Sequence, residues 1–405
     1  MKRLLLLALS LLLIGCGPES RSRVYDPAQV NFQASYNSLF DGILYPSVML
    51  AMANYTGTQE EMLFSVSVTA PTSNAVLRVV VDSTALNYVT ILQEVMPKRG
   101  ERYTFTPKVK WKYDALYRQR QQRPLDLAFT CYVNDEEVDV ENLRLNCRSV
   151  SDCPLCLRDT NGRNHDFRWL FMGYVNEEHP IIDSILNTML EQDIVSGFTG
   201  YQKGSAQVVK QVEAIWYYAL DRGITYSSIS CTANPSKRAM TQHIRFFDEV
   251  YNSRQANCID ACVFFASIMR KIGLKPVILV EPCHAYLGYY ADSKKRDLRL
   301  LETTITAWVN FPAMTKSFNE TGSLTADQES KARKYLSPEN YERWKRKEMG
   351  IDDLKHLIAD TLFARASRYQ TESYQANKKL FSDTTQTGYQ MLPVDELRKV
   401  VQPIS

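Results

Sequence analysis

The hydrophobic period of this chain changes once along its length, and that change limits the folds open to it. Between residues 63 and 133 the apolar positions alternate. Phe64, Val66 and Val68 share one parity, as do Leu77, Val79 and Val81. The segments 103–107 and 125–133 follow the same period of two, which places successive side chains on opposite faces of a strand. Turn-forming clusters at residues 70–74, 97–100 and 134–137 separate them. Short strands at this spacing predict an Ig-like β-sandwich over residues 41–155. From about residue 165 the pattern becomes mixed. Val208, Val209, Val212, Ile215, Trp216, Ala219 and Leu220 form one helical face, ended by Gly223.

Further helices are expected at 236–252 and at 258–272, the latter closed by Gly273 with Pro276 just beyond. Strands are expected at 277–280, 285–290 and 298–301, and a charged helical extension over 320–380. The fold class is therefore α+β: an all-β module followed by an α+β domain over 160–405. A length of 405 residues accommodates two such units with cores of their own.

Composition narrows the classes of partner. Apolar residues at 45% and charged residues at 23% exclude a disordered or collagen-like chain. With 48 Lys and Arg against 45 Asp and Glu, the net +3 is too small to predict a nucleic-acid partner. Lys2 and Arg3 supply +2 of it, ahead of an apolar run over 4–14 that ends in Gly15-Cys16. A positive start, a run too short to span a bilayer and a small residue before a cysteine resemble a bacterial lipoprotein signal peptide. The resemblance implies a leader at 1–15, lipid attachment at Cys16, a tether over 16–40 and an extracytoplasmic location in the cell envelope, periplasmic or facing the cell surface. No phosphate-binding glycine pattern is present, and the other four histidines (His165, His179, His243 and His356) make no metal-ligand spacing, so no cofactor or metal is expected.

Chemistry concentrates between Asn257 and Thr304. Cys258 opens a predicted helix, where unpaired backbone N–H groups and the helix dipole favour a thiolate. His284 begins a later strand and could act as its base, and a carboxylate would fix the imidazole. In an antiparallel hairpin centred on Ser293, His284 stands opposite Glu302. Cys258, followed one turn later by Cys262, then the strand at 277–280, then His284-Ala285-Tyr286, then Leu300-Leu301-Glu302, resembles the transglutaminase-like superfamily. The helix at 208–222 running into Gly223-Ile224-Thr225-Tyr226 adds to the likeness, which covers residues 165–310.

The resemblance implies a papain-like core with Cys258 as nucleophile, His284 as general base and acid, and Glu302 as the third member. It implies acyl transfer on a peptide, protein or glycan-linked amide. Three positions depart from the family pattern: Glu302 replaces Asp, Tyr286 replaces Trp and Asn257 replaces a small residue. The alternative function is a catalytically silent scaffold that binds peptide or glycan. Gln242 is a candidate side-chain donor for the oxyanion. Among the other cysteines, Cys131 and Cys147 lie on neighbouring strands and could pair, while Cys153 and Cys156 form a junction disulfide or remain two free thiols.

Overall fold

The computed structural model describes residues 24–53, 63–228, 236–383 and 385–404. The chain is mixed α+β, 40% helical and 26% strand. The expected leader and lipidated Cys16 lie outside the described residues, among which no helix is long and apolar enough to cross a membrane.

The alternating segments do form strands. Five of them make one sheet in the order Ile43–Leu44, Glu136–Cys147, Arg123–Val133, Ala75–Val81 and Thr90–Met96. A second sheet joins Gln33–Tyr36, Phe64–Thr69 and Arg102–Phe105. Alternate residues are buried: Leu77, Val79 and Val81 in the first sheet, Phe64, Val66 and Val68 in the second. The inner faces meet where the Phe64 ring packs 5.6 Å from that of Phe129. The hairpin between 123–133 and 136–147 turns on Asn134 and Asp135, both at positive φ, which suits the right-handed twist of the strands.

That hairpin removes one expected disulfide. Its register sets Cys131 opposite Asp139 and Cys147 opposite Arg123, so the two thiols stand far apart along the ladder. Cys153 and Cys156 are free as well, as are all seven cysteines among the described residues. Cys153 and Cys156 stand on one strand opposite Gln242 and Met240, with a bulge between them and Cys153 buried.

Three other segments differ from the sequence expectation. Part of the expected tether is structured: Pro27–Val30 is a helical turn and Gln33–Tyr36 a strand, anchored by buried Val30 and Phe32. The helix expected at 236–252 divides into a strand, Ala239–His243, and a helix, Phe247–Ser253. The cause is tertiary, because Asp152–Arg158 offers its edge and pairs with 239–243 on one side and Asn164–Asp166 on the other. This three-stranded sheet ties the expected module boundary to the second half of the chain.

The charged extension is also more than a solvated tail. The helix Ile351–Ser382 buries Leu354, Ile358, Leu362 and Ala366, a stripe at four-residue spacing. Trp216 Nε1 donates to its Ala359 carbonyl at 3.2 Å. Beyond it the chain returns as a strand, Gln390–Pro393, on the free edge of Pro276–Glu281. The resulting antiparallel sheet runs Leu298–Leu301, His284–Tyr290, Pro276–Glu281, Gln390–Pro393. Against it packs the helix Cys258–Lys271, buried from Ile259 to Met269.

Candidate active site

The helix carrying Cys258 begins where three side chains prescribe it. Asn257 is the cap: its Oδ1 accepts from Asp260 N at 2.9 Å, and Asp260 Oδ2 accepts in return from Asn257 N at 3.0 Å. This reciprocal arrangement satisfies donors that a helix start leaves orphaned. Asp260 is fully buried and also accepts from the Arg245 backbone N at 2.8 Å and from its guanidinium at 2.7 Å. Burial raises the Asp260 carboxyl pKa, and the bonds from Asn257 and Arg245 oppose that rise only in part. Asn257, a departure from the family pattern, therefore has a local role in holding the first turn in place. Cys258 follows it directly, at a helix start where backbone N–H groups point outward.

His284 is placed by a tight turn. Glu281 pairs with His284, so only Pro282 and Cys283 lie between the two strands. Proline at the first turn position and a positive φ of 64° at Cys283 are what such a reversal requires. Cys283 is exposed, whereas the His284 ring enters the site and its side chain keeps 28% of its accessible surface.

Glu302 reaches His284 from a register that differs from the expected one. Leu287 pairs with Leu301 and Tyr290 with Leu298, so the hairpin centres on Lys294 rather than Ser293. The Asp292 carboxylate sets this loop by accepting from the backbone N of Lys294, Arg296 and Asp297 at 2.9, 2.8 and 2.6 Å. The partner of any residue moves by two positions, which preserves its face of the sheet. Glu302 thus lies diagonal to His284, just past the strand end at Leu301. The longer glutamate side chain spans that diagonal, and its Oε2 accepts from His284 Nε2 at 2.7 Å. Its Oε1 accepts from Thr304 N at 2.9 Å and Thr304 Oγ1 at 2.7 Å.

The Cys258 thiol lies near enough to the imidazole to act on its titration. With Nε2 committed to Glu302, Nδ1 is the nitrogen left for sulfur. Burial lowers the His284 pKa, but Cys258 and Glu302 outweigh it and push it up to about 10. Glu302, only 3% exposed, shows the converse balance. Burial raises its pKa, while hydrogen bonds from His284 and Thr304 prevail and hold it below the usual value. An imidazolium paired with the Glu302 carboxylate is the state this geometry favours.

Tyr226 completes the site and was not singled out as functional by sequence reasoning. The strand Thr225–Tyr226 runs parallel to Gln255–Ala256, with Tyr226 beside Ala256, two residues before Cys258. Burial first, then the negative charges of Cys258 and Glu302, raise its phenol pKa, so it faces the site as a neutral donor. Its signal was its place after Gly223, where the preceding helix ends, but only pairing to 255–256 brings it near Cys258. Gln242, the donor suggested by sequence, gives its amide to the His243 carbonyl at 3.0 Å. Beside His284 and Glu302 opens a cavity of about 380 Å³, walled by Thr304, Ile305, Trp308 and Tyr369.

Compared with known protein families and with curated proteins, the chain matches none.

Proposed function

We propose that this protein is a cysteine acyl-transfer enzyme of transglutaminase-like type, with a papain-like catalytic core and an N-terminal Ig-like β-sandwich. It is held by a lipid at Cys16 in the cell envelope and hydrolyses an amide of a peptide or a glycan-linked peptide. The observation that carries the reading is a single imidazole hydrogen-bonded to a buried carboxylate and close enough to the Cys258 thiol for the thiol to raise its pKa. A thiol–imidazole–carboxylate series at a helix start is what nucleophilic catalysis requires.

In this mechanism the Cys258 thiolate attacks the carbonyl carbon and forms a C–S bond. The oxyanion is received by the Cys258 backbone N–H and the Tyr226 hydroxyl. His284 passes its proton to the departing amine, whose C–N bond breaks to leave a thioester. Water then attacks that carbonyl, His284 takes its proton, and the carboxylic acid leaves as Cys258 is regenerated. Glu302 holds the ring orientation and compensates its charge throughout. The silent-scaffold alternative loses its two sequence arguments, since Glu302 reaches His284 and Asn257 caps the helix.

p-Nitrophenyl acetate tests the proposal without knowledge of the substrate. The protein should release a burst of p-nitrophenolate and carry one acetyl group on Cys258, located by peptide mass spectrometry. Cys258→Ala should keep its circular dichroism and lose the burst; a burst that persists in this variant excludes Cys258 as nucleophile. Tyr226→Phe should retain the thiol while slowing acylation by about 10²-fold, the usual cost of one oxyanion donor. An unchanged rate would remove Tyr226 from that role.

A further inference from the structure

The cavity beside His284 has a wall that the triad does not explain. Trp308 and Tyr369 are large aromatic residues, yet they remain 43% and 63% exposed. They come from different elements: Trp308 ends the short helix that Glu302 caps, and Tyr369 lies on Ile351–Ser382. Trp308 is held rigid, stacked on Tyr335 at 6.4 Å with the planes 17° apart. A fixed, exposed ring binds a partner with little loss of side-chain entropy. The cavity volume of about 380 Å³ lies in the range of small ligand sites, roughly 300–1,000 Å³.

Two cations stand by the aromatic wall. Lys334 Nζ lies 5.8 Å from the Trp308 ring centre, and the Arg365 guanidinium lies 5.4 Å from that of Tyr335. Both cations are exposed, and neither has a carboxylate partner among the described residues. Lys331, on the same helix as Lys334, does have one, pairing with Asp327 at 2.9 Å. Two of the polar groups in the cavity are engaged with Glu302, while the Trp308 indole N–H and the Tyr369 hydroxyl belong to exposed side chains. Thr304 Oγ1 and His284 Nε2 both donate to Glu302. An aromatic side chain needs only the ring faces, and a neighbouring carboxylate suits the cations.

We propose that this recess is the acyl-donor subsite, taking an aromatic side chain of an acidic peptide next to the bond that Cys258 attacks. The inference rests on the acyl-transfer reading and names its substrate class.

Peptidyl chloromethyl ketones test it, because the Cys258 thiolate displaces their chloride and records the recognition as a covalent mass. The full-length protein is treated with acetyl-Glu-Phe, acetyl-Glu-Ala and acetyl-Lys-Phe chloromethyl ketones. Each rate is divided by the iodoacetamide rate at Cys258 in the same protein. The Glu-Phe probe should exceed both others by about tenfold or more, the usual discrimination of one apolar pocket. Trp308→Ala and Tyr369→Ala should abolish the preference for Phe over Ala. Lys334→Glu, an exposed change that leaves both rings in place, should remove the preference for Glu over Lys. Equal rates for the three probes, or a preference for Phe that survives in Trp308→Ala, would overturn the subsite while leaving the nucleophile intact. Protection by a soluble oligosaccharide, but not by an acidic aromatic peptide, would overturn it in favour of a glycan. A Cys258 that iodoacetamide does not alkylate defeats the acyl-transfer reading itself and the subsite with it.

Discussion

His284→Ala should slow acetylation of Cys258 by about 10³- to 10⁴-fold, because it removes both the base and the counter-ion of the thiolate. Glu302→Gln should cause an intermediate loss, since the amide can still hold the ring but cannot balance its charge. The comparison is made by stopped-flow release of p-nitrophenolate at fixed pH. If the alanine variant acylates at the wild-type rate, the triad is not the catalytic device.

The same residues set a pH signature of stability. The folded-state pKa of His284 is raised from 6.5 to about 10, so its contribution is complete below 6.5 and is lost as pH rises through about 10. Glu302 runs the other way. Its pKa is lowered from 4.5, so its contribution is present above 4.5 and is lost as pH falls through the folded value. The titratable groups facing the ring are Cys258, Glu302 and Glu281, and Glu281 is itself raised, first by burial. Denaturant unfolding at a series of pH values should show wild type most favoured over His284→Ala between about 4.5 and about 6.5, with the gap shrinking toward about pH 10. A gap that widens toward alkaline pH would contradict an imidazolium held by the Glu302 carboxylate.

Asp260→Ala should cost about 3–5 kcal/mol of folding stability, the usual effect of stranding one member of a buried ion pair. The loss is compound. Arg245 keeps its charge without a partner, and the backbone N–H groups of Asn257 and Arg245 lose their acceptor. The double variant Asp260→Leu with Arg245→Met should recover part of the loss, because no buried charge is left unpaired. Urea denaturation of the three proteins decides this. A single variant within about 0.5 kcal/mol of wild type would show that the pair does not set the start of the nucleophile helix.

Much of this architecture was legible in the chain because it depends on local periodicity. Alternation over 63–133 could bury an apolar face only as strands, and Gly223 and Gly273 ended helices where the sequence placed them. The segment 236–252 misled because apolar residues there fit a helix, and no local feature announces that the edge of 152–158 will claim 239–243. Charge misled at the C-terminal end. The helix over 351–382 is polar on most of its surface, and its buried stripe has meaning only against Trp216 and the sheet it covers.

At the site, sequence by itself determined which residue types could do the chemistry: a thiol at a helix start, an imidazole opening a strand and a carboxylate of matching parity. Parity survives a two-residue change of register, which is why Glu302 and His284 still share a face. What only the tertiary structure decided was distance and company. The loop around Asp292 set the register, and the longer glutamate then spanned the diagonal to reach 2.7 Å. Parallel pairing of 225–226 with 255–256 brought Tyr226 near Cys258. Folding the charged helix back over the sheet set Tyr369 across the cavity from Trp308. Periodicity is encoded between neighbours a few residues apart, whereas these contacts join segments that only the packed core brings together.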